Sequence, residues 1–336
     1  MTTVLITGCC GMTGSYLAEH ILNLNKSGGK HQVHGVYRYR SDMSNISRIR
    51  HSINLHDCEL RDAHNVERLI EKVKPDKIFH LAATSFVRTS FDQPADIMIN
   101  NTVSQINVLE AVRRHVPNCI VQIAGTSEEY GDVKENEVPI KETNPLRPLS
   151  PYGVSKVAQE QVAVQYNRSY GLKTVITRTF NHTSPRRTAA FVESNFCKQV
   201  AEIEWGLKDP VIHHGNLDSV RDYTDARDIA KAYWIATEKC DYGEPYNICS
   251  GTFYTIQSVL DMILALSEKK IKTELDSDRL RPSDVVLLHG DYSKFKNVTG
   301  WEPKISMQDT IEELLNTWRF KIKSELDIKD FEDGIS

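Results

Sequence analysis

Residues 3–24 read TVLITGCCGMTGSYLAEHILNL, and this stretch decides the fold. Thr3 to Ile6 is a short β-branched and apolar run, and Ser15 to Leu24 carries apolar residues at helical spacing. Between them Gly8, Gly11 and Gly14 stand at intervals of three. Glycines after a strand and before a helix permit a tight turn and let an anion approach the backbone. The helix start adds free N–H groups and a favourable dipole. A glycine triad alone is a weak signal, but its position after the first strand of a strand–helix unit points to a dinucleotide pyrophosphate. Gly8, Gly11, Met12, Thr13 and Gly14 are the candidate contacts.

The alternation continues outward. Strand-like runs at 32–37, 77–82, 119–124 and 173–177 are interleaved with helical-period segments at 101–112 and 155–170. Repeated strand–helix–strand units give right-handed crossovers and a parallel sheet covered on both faces, the doubly wound Rossmann type of α/β fold. After Phe180 the rhythm loosens. Helices over 192–206 and 224–237, with short mixed elements from 246, predict a smaller C-terminal α/β lobe for the substrate. The expected division is residues 1–180 plus about 215–245 for the cofactor domain and about 181–214 plus 246–325 for the substrate lobe. The acidic tail 326–336 is expected to fray.

Composition narrows the function classes. The 336 residues are 40% hydrophobic and 26% charged, as in ordinary globular proteins. A net charge of −4 leaves no basic footprint for nucleic acid or an anionic membrane, so a phosphate-bearing ligand must be held by local arginines. None of the seven cysteines sits at a C-x-x-C or Cys/His ligand spacing, which argues for reduced thiols and against a metal site. With no apolar run near the bilayer-spanning length and no signal-peptide pattern at "MTTVLITGCCG", a cytoplasmic protein is expected.

The second strand, "HQVHGVYRYRS" (31–41), ends in Arg38 and Arg40 with no acid nearby. An acid there would bind a ribose 2′-hydroxyl, whereas an arginine fork suits a 2′-phosphate, so NADP is expected with Arg38 as its reader. "HLAA" (80–83) supplies small residues where backbone must pass close to the cofactor, implicating Leu81, Ala82 and Ala83; His80 reads as a core histidine.

"AGTSEEYG" (124–131) ends an apolar run and carries Thr126 and Glu128 two apart. Strand alternation would send both to one face, with Glu129 on the other and without a catalytic role. "SPYGVSK" (150–156) supplies Tyr152 and Lys156 one helical turn apart. An ammonium beside a phenol favours phenolate and makes tyrosine a usable general base. Plain alcohol oxidation leaves Glu128 surplus.

With these motifs together, the chain resembles the extended short-chain dehydrogenase/reductases over nearly its whole length, and within them the GDP-mannose 4,6-dehydratases. The closer likeness is carried by "TSFVRTSFDQP", "TSEEYG", "SPYGVSK", "FNHTSPRR" followed by "FVESNFCKQV", "HGNLDSVRDYTDARD" and "RPSDVVLLHGDYSKFKNVTGWEP". The resemblance implies Thr126, Glu128, Tyr152 and Lys156 as catalytic residues. It implies a GDP-sugar held by Ser85, Arg88, Asn181, Arg186, Val192, Lys198, Arg221 and Arg281, with one of Arg186 and Arg187 turned away to solvent or a partner. From "CELRD" (58–62), Leu60 joins the cofactor contacts, and Glu59 or Asp62 stands near the adenine. Stretches such as "SPYGVSKVA", "RDYTDARDIAKAYW" and "YNICSG" look equally like GDP-4-keto-6-deoxymannose reductases, the alternative activity; a manno-heptose could replace mannose, and a non-catalytic NADP-binding scaffold is the remote alternative. A homodimer through 101–112 and 155–170, or a homotetramer reached by the loop 38–50, is implied as well.

Overall fold

The computed structural model describes residues 1–280 and 285–333, with side chains to 328. Its first half alternates β1 (Thr2–Thr7), α1 (Met12–Lys26), β2 (His31–Tyr37), β3 (Asn54–Asp57), α2 (Ala63–Val73), β4 (Lys77–His80), α3 (Val87–Asp92), α4 (Pro94–His115), β5 (Ile120–Thr126), α5 (Pro151–Tyr170) and β6 (Lys173–Thr179). The second half follows with β7 (Asn181–Thr183), α6 (Val192–Glu204), β8 (Val211–His214), β9 (Val220–Asp225), α7 (Ala226–Lys239), β10 (Pro245–Ile248), β11 (Phe253–Thr255), α8 (Ile256–Ala265), β12 (Lys272–Leu275), β13 (Leu287–Leu288), α9 (Ser293–Thr299) and α10 (Met307–Asp333).

Seven strands form one parallel sheet in the order β10-β6-β5-β4-β1-β2-β3. Alternation along β1 explains its two covered faces. Val4 and Ile6 enter a core with Leu17 and Ile21 of α1 and Ile229 and Tyr233 of α7, while Leu5 enters another with Val66 of α2, Val108 and Val112 of α4 and Ala163 of α5. Helix ends are written locally: the Ser150 side chain caps α5 by accepting from the Gly153 N–H, Pro151 opens it, and Gly171 closes it at φ +71°. The smaller lobe pairs β7, β11 and β13 with β9, sets β8 beside β12, and packs α6, α8 and α10 around Phe196, Val200, Leu260 and Leu314.

Three expected boundaries are corrected. β10 crosses the expected boundary at 245 to complete the large sheet beside β6, and Phe295 of α9 joins its core, because Tyr246 and Ile248 are buried there; β9, inside 215–245, belongs to the smaller sheet. α10 runs past 326, the expected start of the tail, to Asp333, and 334–336 of that expectation lie outside the described residues. β4 stops at His80, because the N–H groups of Leu81 and Ala82 turn to the Thr7 hydroxyl, each at 3.1 Å. Among the described residues, no helix is long and apolar enough to cross a membrane and no cluster of three or more metal-ligating side chains occurs.

Candidate active site

β1 lies between β2 and β4, so the strand order reverses there and a crevice opens beyond the carboxyl ends of the strands. The glycine turn lines it. Gly8 holds φ +69°, and a β-carbon on it would come within 3.0 Å of the Ala82 nitrogen. One on Gly14 would stand 2.4 Å from the Gly8 carbonyl oxygen. Gly11 caps α1 without a side-chain hydrogen bond, which leaves the first-turn N–H groups to an anion. The cradle therefore fits a dinucleotide pyrophosphate. His182 braces it: Nε2 meets the Thr13 hydroxyl at 3.1 Å and Nδ1 the Phe180 carbonyl at 3.0 Å, while burial, then Arg187, pulls its pKa down to about 4 and keeps it neutral.

Arg38, Ser41, Glu59 and Leu60 line the cleft beyond β2 and β3, and Leu81, Ala82 and Ala83 line it beyond β4. The Ser41 hydroxyl accepts from the Arg38 N–H at 3.1 Å, and the Ser41 N–H donates to the Arg38 carbonyl at 2.9 Å. Among the described residues, no hydrogen bond occupies the exposed Arg38 guanidinium. Glu59, not Asp62, reaches the cleft. Asp62 is used as the cap of α2, accepting from the N–H groups of His64 and Asn65, and Glu59 is clasped by Arg61 at 3.2 Å through both oxygens.

Thr126, Glu128, Tyr152 and Lys156 come together in the middle of the cleft. The route differs from simple strand alternation. β5 ends at Thr126 in extended conformation, and 127–129 form a single 3₁₀ turn capped by the Thr126 side chain, whose oxygen accepts from the Glu128 N–H at 3.3 Å. Thr126 and Glu128 still share the cleft, and Glu129 lies fully buried behind it. Tyr152 sits in the first turn of α5; burial pushes its phenol well above its usual range, with a hydrogen bond to Thr126 pulling back. Lys156 Nζ donates to the Ala124 carbonyl at 2.7 Å and lies 5.9 Å from the centre of the Tyr152 ring. Burial draws its ammonium down to about 8, and Glu129 opposes that shift.

Ser85, Arg88, Asn181, Val192 and Arg221 also line the cleft, together with Arg187, Asn195, His214, Tyr223 and Arg279. Two expected residues do not. Arg186 turns to α1, pairing with Glu19, donating to the Ser15 hydroxyl at 2.9 Å and lying over the Tyr16 ring, so its neighbour Arg187 faces the cleft instead, held by Glu193 at 3.3 Å and stacked on Phe191. Lys198 pairs with Glu202 on the next turn of α6 at 3.7 Å and lies over the Trp318 ring of α10. Arg281 lies outside the described residues. Arg187 follows no periodic pattern, and only the paired "RR" signalled that one arginine would turn inward.

A family model described as GDP-mannose 4,6 dehydratase matches residues 5–314. The GDP-mannose 4,6-dehydratase of Yersinia enterocolitica is 33% identical, covering 94% of this chain and 93% of its own. A GDP-6-deoxy-D-mannose reductase of Pseudomonas aeruginosa is 27% identical over 75% of this chain and 83% of its own. Among solved structures, RMD from Pseudomonas aeruginosa complexed with NADPH superposes with a TM-score of 0.81 over 96% of this chain and 100% of that one, at 23% identity, a likeness of fold.

Proposed function

The chain belongs to the GDP-mannose 4,6-dehydratase family, enzymes of the extended short-chain dehydrogenase/reductase type, and from that premise we propose that it converts a GDP-linked, mannose-configured sugar to the 4-keto-6-deoxy sugar. It binds a nicotinamide dinucleotide in the glycine cradle. The finer assignment to NADP is supported by Arg38 and Ser41 at the end of β2, where a 2′-phosphate would meet a charged fork and a hydroxyl. When bound, the cofactor supplies a reversible hydride acceptor, taking hydride from C4 and giving it back at C6.

The chain's own residues handle the protons. Tyr152 takes the O4 proton while the Thr126 hydroxyl bonds the same oxygen. Glu128 then removes the C5 proton, acidified by the new C4 carbonyl, and delivers it to the leaving C6 hydroxyl, which departs as water. Tyr152 returns its proton at C5. Atoms balance as loss of one water, and the cofactor ends as it began. The observation that carries this reading is the meeting of a second acid, Glu128, with Thr126, Tyr152 and Lys156 in one cleft. Arg187 and Arg221 on the far wall support diphosphate binding in a partly dry setting.

The test is product identification from GDP-mannose with catalytic NADP⁺. Dehydration gives a keto sugar without net change at 340 nm. The reductase relative favours a second reading, which the same assay separates: a reductase consumes NADPH on a supplied 4-keto sugar and leaves GDP-mannose untouched. Self-association through the outer faces of α4 and α5 is supported by the exposed Ile99, Val154 and Tyr170, and light scattering tests it.

A further inference from the structure

Glu129 stands one residue beyond the acid assigned to chemistry, and the reading above gives it no task. It is 0% exposed. One oxygen, Oε1, accepts from the Thr126 N–H at 2.7 Å; the other has no hydrogen-bond partner among the described residues and looks at Arg178 Nε from 3.9 Å. Arg178 is already committed. Its Nε and Nη2 clasp Glu160 at 2.7 and 2.6 Å, and its Nη1 donates to the Tyr130 hydroxyl at 2.9 Å and the Glu142 carbonyl at 3.0 Å. The cluster thus holds two buried carboxyls against one arginine. Gly125 makes room for it, since a β-carbon there would lie 2.7 Å from Glu129 Oε1.

Lys156 is tied to the same three-residue segment, bonding Ala124 on one side of Gly125 as Glu129 bonds Thr126 on the other. The groups around the pair are Tyr152 and Glu160 from α5, Arg178 from β6, Glu128 and Tyr130 from the turn, His80 from β4 and Tyr233 from α7. Glu129 and Lys156 meet the same strand segment two residues apart, and the Glu129 carboxylate holds the Lys156 ammonium up against the effect of burial. We propose that Glu129 is a positioning residue: it is the buried counter-charge of Lys156 and the backbone anchor of Thr126, so that one carboxyl sets both the ammonium beside Tyr152 and the turn that carries Glu128.

The electrostatics agree. Burial and then Glu160 push Glu129 up to about 8, into the window to which burial draws Lys156. Two groups that titrate in one window are coupled, so the midpoint of each depends on the charge of the other. The inference rests on the reading of Tyr152 and Lys156 as the working pair, and its test is separable from that reading. In full-length protein labelled with ¹³C-lysine, the Lys156 Cε resonance, assigned by its loss in Lys156→Arg, reports the ammonium without substrate. Glu129→Gln keeps an oxygen for the Thr126 N–H and removes the charge. The Lys156 midpoint should fall by about half a pH unit or more, and the alkaline limb of kcat should move down with it. Glu129→Leu, the second variant, should shift the midpoint likewise and lower kcat further through the lost anchor. A smaller shift in a folded variant overturns the inference. A wild-type protein that dehydrates no GDP-sugar overturns the functional reading instead, and the Lys156 midpoint still decides the role of Glu129.

Discussion

Lys156 Nζ is bonded to the carbonyl oxygen of Ala124 at 2.7 Å, and not to the Tyr152 hydroxyl. The end of β5 therefore fixes the ammonium under the cleft, one turn along α5 from the phenol it serves. Tyr152 alone is a poor base, because burial raises its pKa. Tyr152→Phe should lower kcat for keto-sugar formation by about 10²–10⁴-fold, the usual worth of a positioned proton-transfer group. Cofactor affinity, read by fluorescence titration, should change little. A variant retaining near wild-type kcat would remove Tyr152 from the chemistry.

The proposed preference for NADP rests on Arg38. A charge-assisted bond to a 2′-phosphate is worth about 1.5–3 kcal/mol, so Arg38→Ala should weaken NADP⁺ binding by about 10–150-fold and leave NAD⁺ binding nearly unchanged. Equal losses for both dinucleotides, measured by calorimetry, would point to a structural role in the turn closed by Ser41.

Adjacent arginines should separate cleanly. Arg187→Ala removes a cation from the cleft wall and should raise KM for the GDP-sugar. Arg186→Ala breaks the contacts with Glu19 and Ser15 of α1 and should leave KM close to wild type while lowering stability by about 1 kcal/mol, read as a lower denaturant midpoint. The reverse pattern would restore Arg186 to the substrate site.

Much of this was legible because it is local. The glycine turn and the Tyr–Lys spacing are each set within a few residues of chain, and the structure keeps them. What was lost depends on distant partners. β10 is four residues long and is recognised only by the edge of β6 that it covers. The inward turn of Arg187 is decided by Glu193 and Phe191, and the outward turn of Arg186 by α1. Alternation along β5 brought Thr126 and Glu128 together for an incomplete reason, since a capping turn, with Glu129 reaching back to Thr126, takes over where the strand stops.

Buried histidines make acid sensitivity a built-in property. Burial pulls His80 down to about 3 and His182 to about 4, from an ordinary value of 6.5. Below that ordinary value the unfolded chain takes up protons that the folded chain refuses, so their contribution to stability is present above pH 6.5 and is lost as pH falls toward 4 and 3. Glu129, raised to about 8, works in the opposite sense. The fall in Tm from pH 6.5 to 4 should be shallower in His80→Gln than in wild type, measured by scanning fluorimetry. An unchanged slope would assign acid loss to other groups.

The central claim is that hydride leaves C4 and returns to C6 of the same sugar while Glu128 draws the C5 proton. The most direct measurement follows GDP-mannose deuterated at C4 through turnover by the wild-type protein and Glu128→Gln, with the product read by mass spectrometry and NMR. Deuterium is expected at C6 of a 4-keto-6-deoxy product from the wild type, and reduced cofactor accumulating with little water loss in Glu128→Gln. Deuterium absent from C6, or water expelled by Glu128→Gln at the wild-type rate, would contradict it.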